Sequence, residues 1–211
     1  MGVFSGPDRF VFIHIPKNGG NAIAMWAQGK AKKPIVVMEH RNDLLGIMDK
    51  HSNATQWRSW FKATGRAWDN ILSFATIRDP LTRPQSVMTE IRRNRPWAQV
   101  AAGDDWWNEF SKLESVDDFI LSGLYDPDGP LHITHTQHWF VSDPNGEVIV
   151  KRLVRMDVLS KVVPKMLGLP GPVPVVHKGQ YQPCTLSNES QLEVRRLYYD
   201  DFALYGEMNG Q

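Results

Sequence analysis

The sequence of 211 residues contains a single cysteine, Cys184, which excludes a disulfide framework and a cysteine-rich metal site. No apolar run reaches the roughly 20 residues that a transmembrane helix needs, and the N-terminus lacks the basic-then-apolar pattern of a leader. The formal net charge is only +1, which argues against broad binding of nucleic acids or anionic membranes. These absences predict a cytoplasmic protein with no membrane span and no nucleic-acid partner.

The composition that remains, 42% hydrophobic and 22% charged, is typical of an ordinary globular chain and predicts a single domain over residues 1–211. Short apolar stretches alternate with helical patterns, which predicts an α/β fold with a parallel sheet flanked by helices. Residues 96–140 are less regular and rich in Trp and His, and we expect them to form a helical lobe over the sheet that binds substrate. The predicted strands are 9–15, 34–38, 71–77 and 148–154, and the predicted helices are 21–28, 41–50, 81–95, 157–166 (capped by Asp157) and 187–202 (capped by Ser187).

The stretch HIPKNGG follows the first predicted strand and precedes a predicted helix. At that place glycines let backbone N–H groups approach an anion, the helix N-terminus adds partial positive charge, and Lys17 adds a full charge. The pattern predicts a cradle for phosphate or sulfate; the alternative is a tight turn with a solvated lysine. An ATP-binding P-loop carries its lysine after the last glycine, followed by Ser or Thr for magnesium. Here Asn21-Ala22 supplies no hydroxyl, which disfavours magnesium-dependent ATP hydrolysis.

A second motif, IRDPLTRPQS, closes the predicted strand 71–77 and opens the next helix. Arg78 at a strand's carboxyl end can place two hydrogen bonds on one phosphate, and Arg83 and Ser86 lie within the first turns that follow. The alternative is that Asp79 caps the helix and that the arginines pair with acidic side chains.

HIPKNGGNAI followed by IRDPLTRPQSV resembles the sulfotransferases that use 3′-phosphoadenosine 5′-phosphosulfate, in particular the carbohydrate and 2-O-sulfotransferase branch and its bacterial relatives. The likeness extends to GEVIVKRLVRMDVLSKVV and LYYDDFALYG and is weakest between residues 96 and 131. It implies transfer of a sulfuryl group from this co-substrate to an acceptor hydroxyl, expected on a carbohydrate, with no metal ion.

The resemblance also implies roles for individual residues. Lys17 would neutralise charge on the leaving phosphate, and Arg78, Arg83 and Ser86 would hold the 3′-phosphate. Lys178 would add a cation near the 3′-phosphate, or lie in a plain surface turn. The residues that would wrap the 5′-phosphate are Asn18, Gly19, Gly20, Asn21 and Ala22. Asn18, Asn21 and Ala22 replace the family's hydroxyl residues, so a catalytically inactive protein on the same fold is an alternative hypothesis.

The acceptor hydroxyl requires a general base with a pKa near neutrality. His40 follows a predicted strand between the two motifs, where 2-O-sulfotransferase-like members carry a histidine, and Glu39 is the alternative base or an orienting partner. The alternative without a catalytic role is a histidine at a strand end that is hydrogen-bonded to the backbone. His14, inside the first predicted strand, is expected to pack in the core or to support the site.

His132, His135 and His138 recur at three-residue spacing and would share one helical face. No acidic or cysteine partner lies nearby, so substrate contact or packing is favoured over metal binding.

Gln137 and Trp139 resemble a glutamine-and-aromatic feature of the same family. Trp97, Trp106 and Trp107 can stack on sugar rings or cover the core. The leading prediction is therefore a sulfotransferase, and the alternatives are a P-loop nucleotide or small-molecule kinase and a catalytically inactive nucleotide-binding protein.

Overall fold

The computed structural model describes residues 2–5, 10–30, 36–38, 41–43, 46–48, 50–174 and 184–207. The chain divides into two compact units. The first, here called the sheet unit, comprises Met1–Arg78 and Gln137–His177, and the second, the helical unit, comprises Asp79–Thr136 and Lys178–Gln211. The expectations of a single domain and of a substrate lobe at 96–140 stay predictions.

Strands and helices alternate along the chain as an α/β fold requires. The strands are β1 Gly2–Ser5, β2 Phe10–Ile13, β3 Val36–Met38, β4 Arg41–Asp43, β5 Gly46–Met48, β6 Leu72–Ile77 and β7 Arg152–Arg155. The helices are α1 Gly20–Lys30, α2 Ala54–Ala63, α3 Arg83–Arg93, α4 Arg95–Ala102, α5 Asp104–Ser111, α6 Val116–Leu121, α7 Gln137–Val141, α8 Leu159–Leu167, α9 Asn188–Leu197 and α10 Tyr199–Glu207.

The sheet unit contains a five-stranded sheet in the order β3-β1-β2-β6-β7. Strands β2, β6 and β7 are parallel, which confirms the predicted α/β fold with a parallel sheet and flanking helices. Strand β1 was not predicted, and it makes the sheet mixed because it pairs antiparallel with both β2 and β3. Only residues 6–9 separate β1 from β2, whereas a parallel connection needs a dozen or more residues.

Three other local predictions need correction. Residues 41–50, predicted as a helix, contain the antiparallel pair β4 and β5, and Asn42, Asp43 and Gly46 are residues that favour turns over helices. The strand predicted at 148–154 is β7, which begins only at Arg152. Asp157 does not cap α8, whose N-cap is Val158, because its carboxylate pairs with Arg155 at 2.8 Å.

The core of the sheet unit forms between strands and helices that bury their apolar side chains. Phe10 and Phe12 of β2 and Phe74 of β6 are fully buried and pack with Ile23 of α1 and Val163 of α8. Burial of each such side chain stabilises the fold by roughly 1.5–3 kcal/mol. Strand β2 is buried at every position, as expected of a strand with neighbours on both sides and helices against its faces.

The helical unit has a core of its own. Val87 and Ile91 of α3 pack with Phe110 of α5, Phe119 of α6 and Tyr198. The last predicted helix is correct in its start, since Ser187 caps α9 through the backbone N–H of Ser190, but it is two helices, α9 and α10. None of the helices that the structure describes is both long and apolar enough to cross a membrane.

Candidate anion-binding site

The candidate site lies in the sheet unit, where β2 ends at Ile13 and α1 begins at Gly20. The connecting segment 14–19 is here called the 14–19 loop. Ile13 pairs in register with Ala75 of the parallel strand β6, so the segments that follow the two strands leave the sheet at the same end. Both sequence motifs therefore supply residues to one edge of the sheet unit, Lys17 after β2 and Arg78 after β6.

Lys17 adopts a left-handed backbone conformation with φ of 68°, and it is the one non-glycine residue with positive φ in the described ranges. Such a conformation costs an L-residue about 1–2 kcal/mol, so the surrounding contacts must hold it in place. The side chain of Lys17 is half-buried at the turn into α1. A lysine held against its backbone preference at the mouth of a helix is a candidate functional residue.

Gly19 and Gly20 are required by close approach. A Cβ atom on Gly20 would lie 2.0 Å from the ring of His14, so any side chain there would displace the histidine. Gly19 has φ of 80°, and a Cβ atom there would meet Leu159 of α8 at 3.0 Å. The lack of side chains at Gly19 and Gly20 therefore lets the backbone pass close to Leu159 and His14, in addition to allowing the turn.

The start of α1 supplies partial positive charge to the same place. The N–H groups of Ala22 and Ile23 already donate to the carbonyl of Gly19 at 3.1 and 3.4 Å. The preceding N–H groups, those of Gly20 and Asn21, have no acceptor within a helix that starts at Gly20. They are the groups that a bound anion would meet.

Asn18 is fully buried and ties the 14–19 loop to β6. Its Nδ2 donates to the carbonyl of Thr76 at 2.7 Å and to Oε1 of Gln137 at 2.5 Å, and Thr76 Oγ1 donates back to the carbonyl of Asn18 at 2.6 Å. Both amide hydrogens of Asn18 are thus directed at protein acceptors. Its assignment as a phosphate-binding residue stays a prediction, and its side chain serves here to fix the loop.

Gln137, the first residue of α7, is fully buried beside Asn18. Its Oε1 also accepts from the backbone N–H of Arg78 at 2.8 Å, and its Nε2 donates to the carbonyl of Arg78 at 2.9 Å. One side-chain amide therefore binds both backbone groups of Arg78 and the loop residue that follows Lys17.

The guanidinium of Arg78 completes the link between the motifs, because its Nη1 donates to the carbonyl of Lys17 at 3.3 Å. Two cationic residues therefore meet at one edge of the sheet unit, each with a half-buried side chain. The bond joins the Arg78 guanidinium to the backbone of Lys17, so it ties the 14–19 loop to the residue that follows β6.

Arg83 and Ser86 belong to the helical unit, on the first turns of α3. Ser86 is 3% exposed, and Arg83 is fully buried and donates from Nη2 to the carbonyl of Ile133 at 2.9 Å. Nε and Nη1 of Arg83 have no hydrogen-bond partner in the described part of the chain. Burial also raises the pKa of the neighbouring Tyr125 hydroxyl, on which the charge of Arg83 acts in the opposite direction. The phosphate-binding roles of both residues stay predictions.

The other predicted site residues are placed as follows. Asn21 is exposed on the first turn of α1 and Ala22 is buried. His40, Glu39 and Lys178 lie outside the described residues, so the general base and the added cation stay predictions.

His14 is 4% exposed, with its ring 4.6 Å from that of His51. This position agrees with the expectation that His14 packs in the core beside the site.

The three histidines at 132, 135 and 138 do not share one helix. His138 lies in α7 in the sheet unit, whereas the other two precede that helix in the helical unit. Burial lowers the pKa of His135 below its ordinary value, and the ring of His132 meets Trp97 edge-on at 5.5 Å. Among the described residues no group of three His, Cys, Asp or Glu side chains is placed to hold a metal ion.

The tryptophans of the helical unit contribute to its core. Trp107 is buried, Trp106 stacks on Phe110 with ring centroids 5.1 Å apart, and Trp97 packs against the same cluster. Trp139 in the sheet unit is 44% exposed and is the most exposed of the four, since Trp97 and Trp106 are half-buried.

Sequence reasoning missed the parts of the site that depend on tertiary contacts. Thr76 is a polar residue within the apolar strand LSFATI, and that interruption was the available signal. The sequence showed for Gln137 only a likeness to a family feature and not its hydrogen bonds, because its partners Asn18 and Arg78 are 119 and 59 positions away. His51 drew no attention, yet its Nδ1 lies 3.0 Å from the carbonyl of His14.

No protein-family model matches the chain, and no curated protein is significantly similar to it in sequence.

Proposed function

We propose that this chain is a sulfotransferase with a P-loop-like anion site, which moves a sulfuryl group from 3′-phosphoadenosine 5′-phosphosulfate to an acceptor hydroxyl. The acceptor class that the resemblance supports is a carbohydrate. The proposal combines the resemblance of the two sequence motifs with the geometry at the end of β2 and β6.

The observation that carries the proposal is the hydrogen bond between the motifs, from Arg78 Nη1 to the carbonyl of Lys17. It brings together a left-handed lysine, a glycine-bounded helix start and an arginine at a strand's end. Each of these features can bind an anion only weakly by itself. Together they suit a ligand with two anionic groups, as a nucleotide that carries both a 5′-phosphosulfate and a 3′-phosphate has.

In the proposed reaction the acceptor oxygen attacks sulfur as the bond between sulfur and the bridging phosphate oxygen breaks. The bonding pair leaves with the phosphate as 3′-phosphoadenosine 5′-phosphate, and the acceptor's proton passes to a base, for which His40 is the first candidate and Glu39 the second. Lys17 and the α1 N-terminus would stabilise the charge that develops on the leaving phosphate. Catalysis then rests on positioning and charge neutralisation, as in phosphoryl transfer.

Two features of the 14–19 loop and the start of α1 bear on the alternative functions, a P-loop kinase and an inactive nucleotide-binding protein. The position after Gly20 is Asn21-Ala22, so no hydroxyl stands where a P-loop kinase coordinates magnesium. The same absence, with both Asn18 amide hydrogens bound within the protein, also fits an inactive nucleotide-binding protein.

The first test is calorimetric titration with 3′-phosphoadenosine 5′-phosphate in the presence of a chelator, in parallel with ATP and magnesium. We expect the bisphosphate to bind without metal and ATP with magnesium to bind at least about tenfold more weakly, a difference of about 1.4 kcal/mol. Tighter binding of ATP with magnesium would favour the kinase instead.

A sulfate-transfer assay over a panel of sugar and polysaccharide acceptors then separates an enzyme from an inactive binder. We expect labelled sulfate to move to at least one hydroxyl-bearing acceptor. Tight binding of the bisphosphate with no transfer to any acceptor would identify the inactive protein.

A further inference from the structure

We propose that Gln137 is a positioning residue of this site, whose side-chain amide fixes Lys17 and Arg78 relative to each other. The inference rests on the proposed function for its ligand, but its geometry lies wholly within the described residues of the sheet unit. No role in binding or catalysis was predicted for Gln137 from the sequence.

The hydrogen bonds of Gln137 leave one orientation for its amide. Oε1 accepts from the N–H of Arg78 and from Asn18 Nδ2, while Nε2 donates to the carbonyl of Arg78. If the amide were turned over, Nε2 would face two donors and Oε1 would face a carbonyl. The orientation of Asn18 is fixed in the same way, because its Nδ2 faces the carbonyl of Thr76 and Oε1 of Gln137.

The side-chain amide of Gln137 contacts the backbone of Arg78 and the side chain of Asn18, the residue next to Lys17. Asn18 directly follows Lys17, the residue held at φ of 68°, and Arg78 is held by both of its backbone groups. The guanidinium of Arg78 then reaches back to the carbonyl of Lys17. The side chain of Gln137 therefore fixes the backbone from which the side chains of Lys17 and Arg78 extend toward a shared ligand.

Gln137 is itself anchored, as a positioning residue must be. It opens α7, whose Phe140 and Val141 are fully buried, and the chain just beyond that helix accepts a hydrogen bond at Ser142 O from Thr55 Oγ1 of α2, 3.1 Å away. The amide is thus presented from a packed helix and not from an exposed loop.

Gln137→Glu is the sharpest test, because the substitution keeps the shape of the side chain and makes its donor depend on pH. An ionised carboxylate can still accept from Arg78 N–H and Asn18 Nδ2, but it repels the carbonyl of Arg78. A protonated carboxyl restores the donor, since it carries one O–H and one acceptor oxygen. Burial and the facing carbonyl of Arg78 raise the pKa of a carboxyl group at this position, whereas the two N–H donors lower it, so the pKa is read from the pH at which the binding of the variant changes.

The measurement is the affinity for 3′-phosphoadenosine 5′-phosphate of the variant relative to the wild type, from pH 8 to pH 5. We expect the variant to bind about tenfold or more weakly at pH 8, and the deficit to shrink as the pH falls through the pKa of the new carboxyl. Gln137→Leu, which cannot titrate, should be weak at every pH. The matched control is Gln28→Glu, on an exposed position of α1.

A merely structural role would give a deficit in Gln137→Glu that is the same at every pH, or a loss of stability with unchanged affinity, and either result overturns the inference. Wild-type affinity in Gln137→Leu would overturn it as well.

Hydrogen–deuterium exchange of the 14–19 loop without nucleotide keeps this inference separate from the proposed function. Relative to the wild type at each pH, we expect faster exchange in Gln137→Glu at pH 8 and near-normal exchange at pH 5. If the wild type does not bind the bisphosphate, the proposed function fails, and the exchange of the loop still decides the role of Gln137. Loop exchange equal to that of the wild type at pH 8 would show that Gln137 does not position it.

Discussion

Lys17 combines two properties that a comparison of two substitutions can separate: a cationic side chain and a left-handed backbone. The side chain is proposed to act on the leaving phosphate, while the backbone directs its carbonyl to Arg78 Nη1. Alanine at this position removes the charge and keeps the strain, whereas glycine removes both. A pair of variants therefore resolves the two contributions.

We expect Lys17→Ala and Lys17→Gly both to lower kcat by about 10²–10³, the usual effect of removing one preorganised stabilising group. We also expect Lys17→Gly to be more stable to urea than Lys17→Ala by about 1 kcal/mol, because glycine adopts positive φ without strain. Lys62→Ala, at an exposed lysine of α2, is the control for loss of a positive charge. Normal kcat with a raised KM for the donor would make Lys17 a binding residue only.

The sequence allowed the strand, the glycine turn and the helix start around Lys17 to be predicted, because these three features are contiguous in the chain. The anion-binding roles of Lys17, Gly19 and Gly20 stay predictions. The sequence did not reveal that Asn18 would turn its amide inward. That orientation depends on Thr76 and Gln137, whose arrangement around Asn18 is a property of the folded sheet unit.

At the scale of elements, α2 shows how local chemistry defines a helix that the hydrophobic pattern left unassigned. Asn53 Oδ1 accepts from the N–H of Gln56 at 2.9 Å, and Gln56 Oε1 accepts from the N–H of Asn53 at 2.8 Å, which is a complete capping box. Trp57 and Phe61 then lie one turn apart and are fully buried. The cap places these two aromatic side chains in the core of the sheet unit.

Asn53→Ala is expected to lower the free energy of unfolding by about 1 kcal/mol, because it leaves the N–H of Gln56 without its acceptor. Asn53→Asp should keep most of that stability, since a carboxylate accepts the same bond at a helix N-terminus. Urea unfolding of the two variants and of Ser59→Ala, at an exposed mid-helix position, measures the effect. A free energy of unfolding for Asn53→Ala equal to that of the wild type would show that the cap bond contributes nothing.

Strand and helix identities were predictable where the apolar pattern was continuous and were wrong where polar residues interrupted it. The stretch 71–77 is apolar and ends at Arg78-Asp79-Pro80, and it forms β6 one residue shorter than predicted. Residues 41–50 have apolar residues at helical spacing, but the structure places β4 and β5 there. Strand pairing between β4 and β5 overrode the weak helical periodicity of this segment.

At the scale of the molecule, the chain leaves the sheet unit at Arg78 and returns to it at Gln137. A strand-and-helix pattern does not show where a chain returns to an earlier unit, so the division was not predictable from periodicity. The return has a chemical consequence, because the first residue of the returning segment is the one that binds both backbone groups of Arg78. The candidate anion site of the sheet unit is therefore built from three separated stretches of sequence.

The central claim is that Arg78 and the 14–19 loop, which includes Lys17, together bind a nucleotide with anionic groups at both its 3′ and 5′ positions. The most direct measurement is calorimetric titration of wild type and Arg78→Ala with 3′-phosphoadenosine 5′-phosphate and with adenosine 5′-phosphosulfate, which lacks the 3′-phosphate. Arg152→Ala, at an exposed arginine in the neighbouring strand β7, is the matched control. We predict that Arg78→Ala loses about 1.5–3 kcal/mol of binding to the bisphosphate, because a charged hydrogen bond to the 3′-phosphate is removed. The loss for the phosphosulfate should be smaller, since that ligand is affected only through the lost bond to the carbonyl of Lys17. Equal losses for both nucleotides, or no loss for either, would contradict the account.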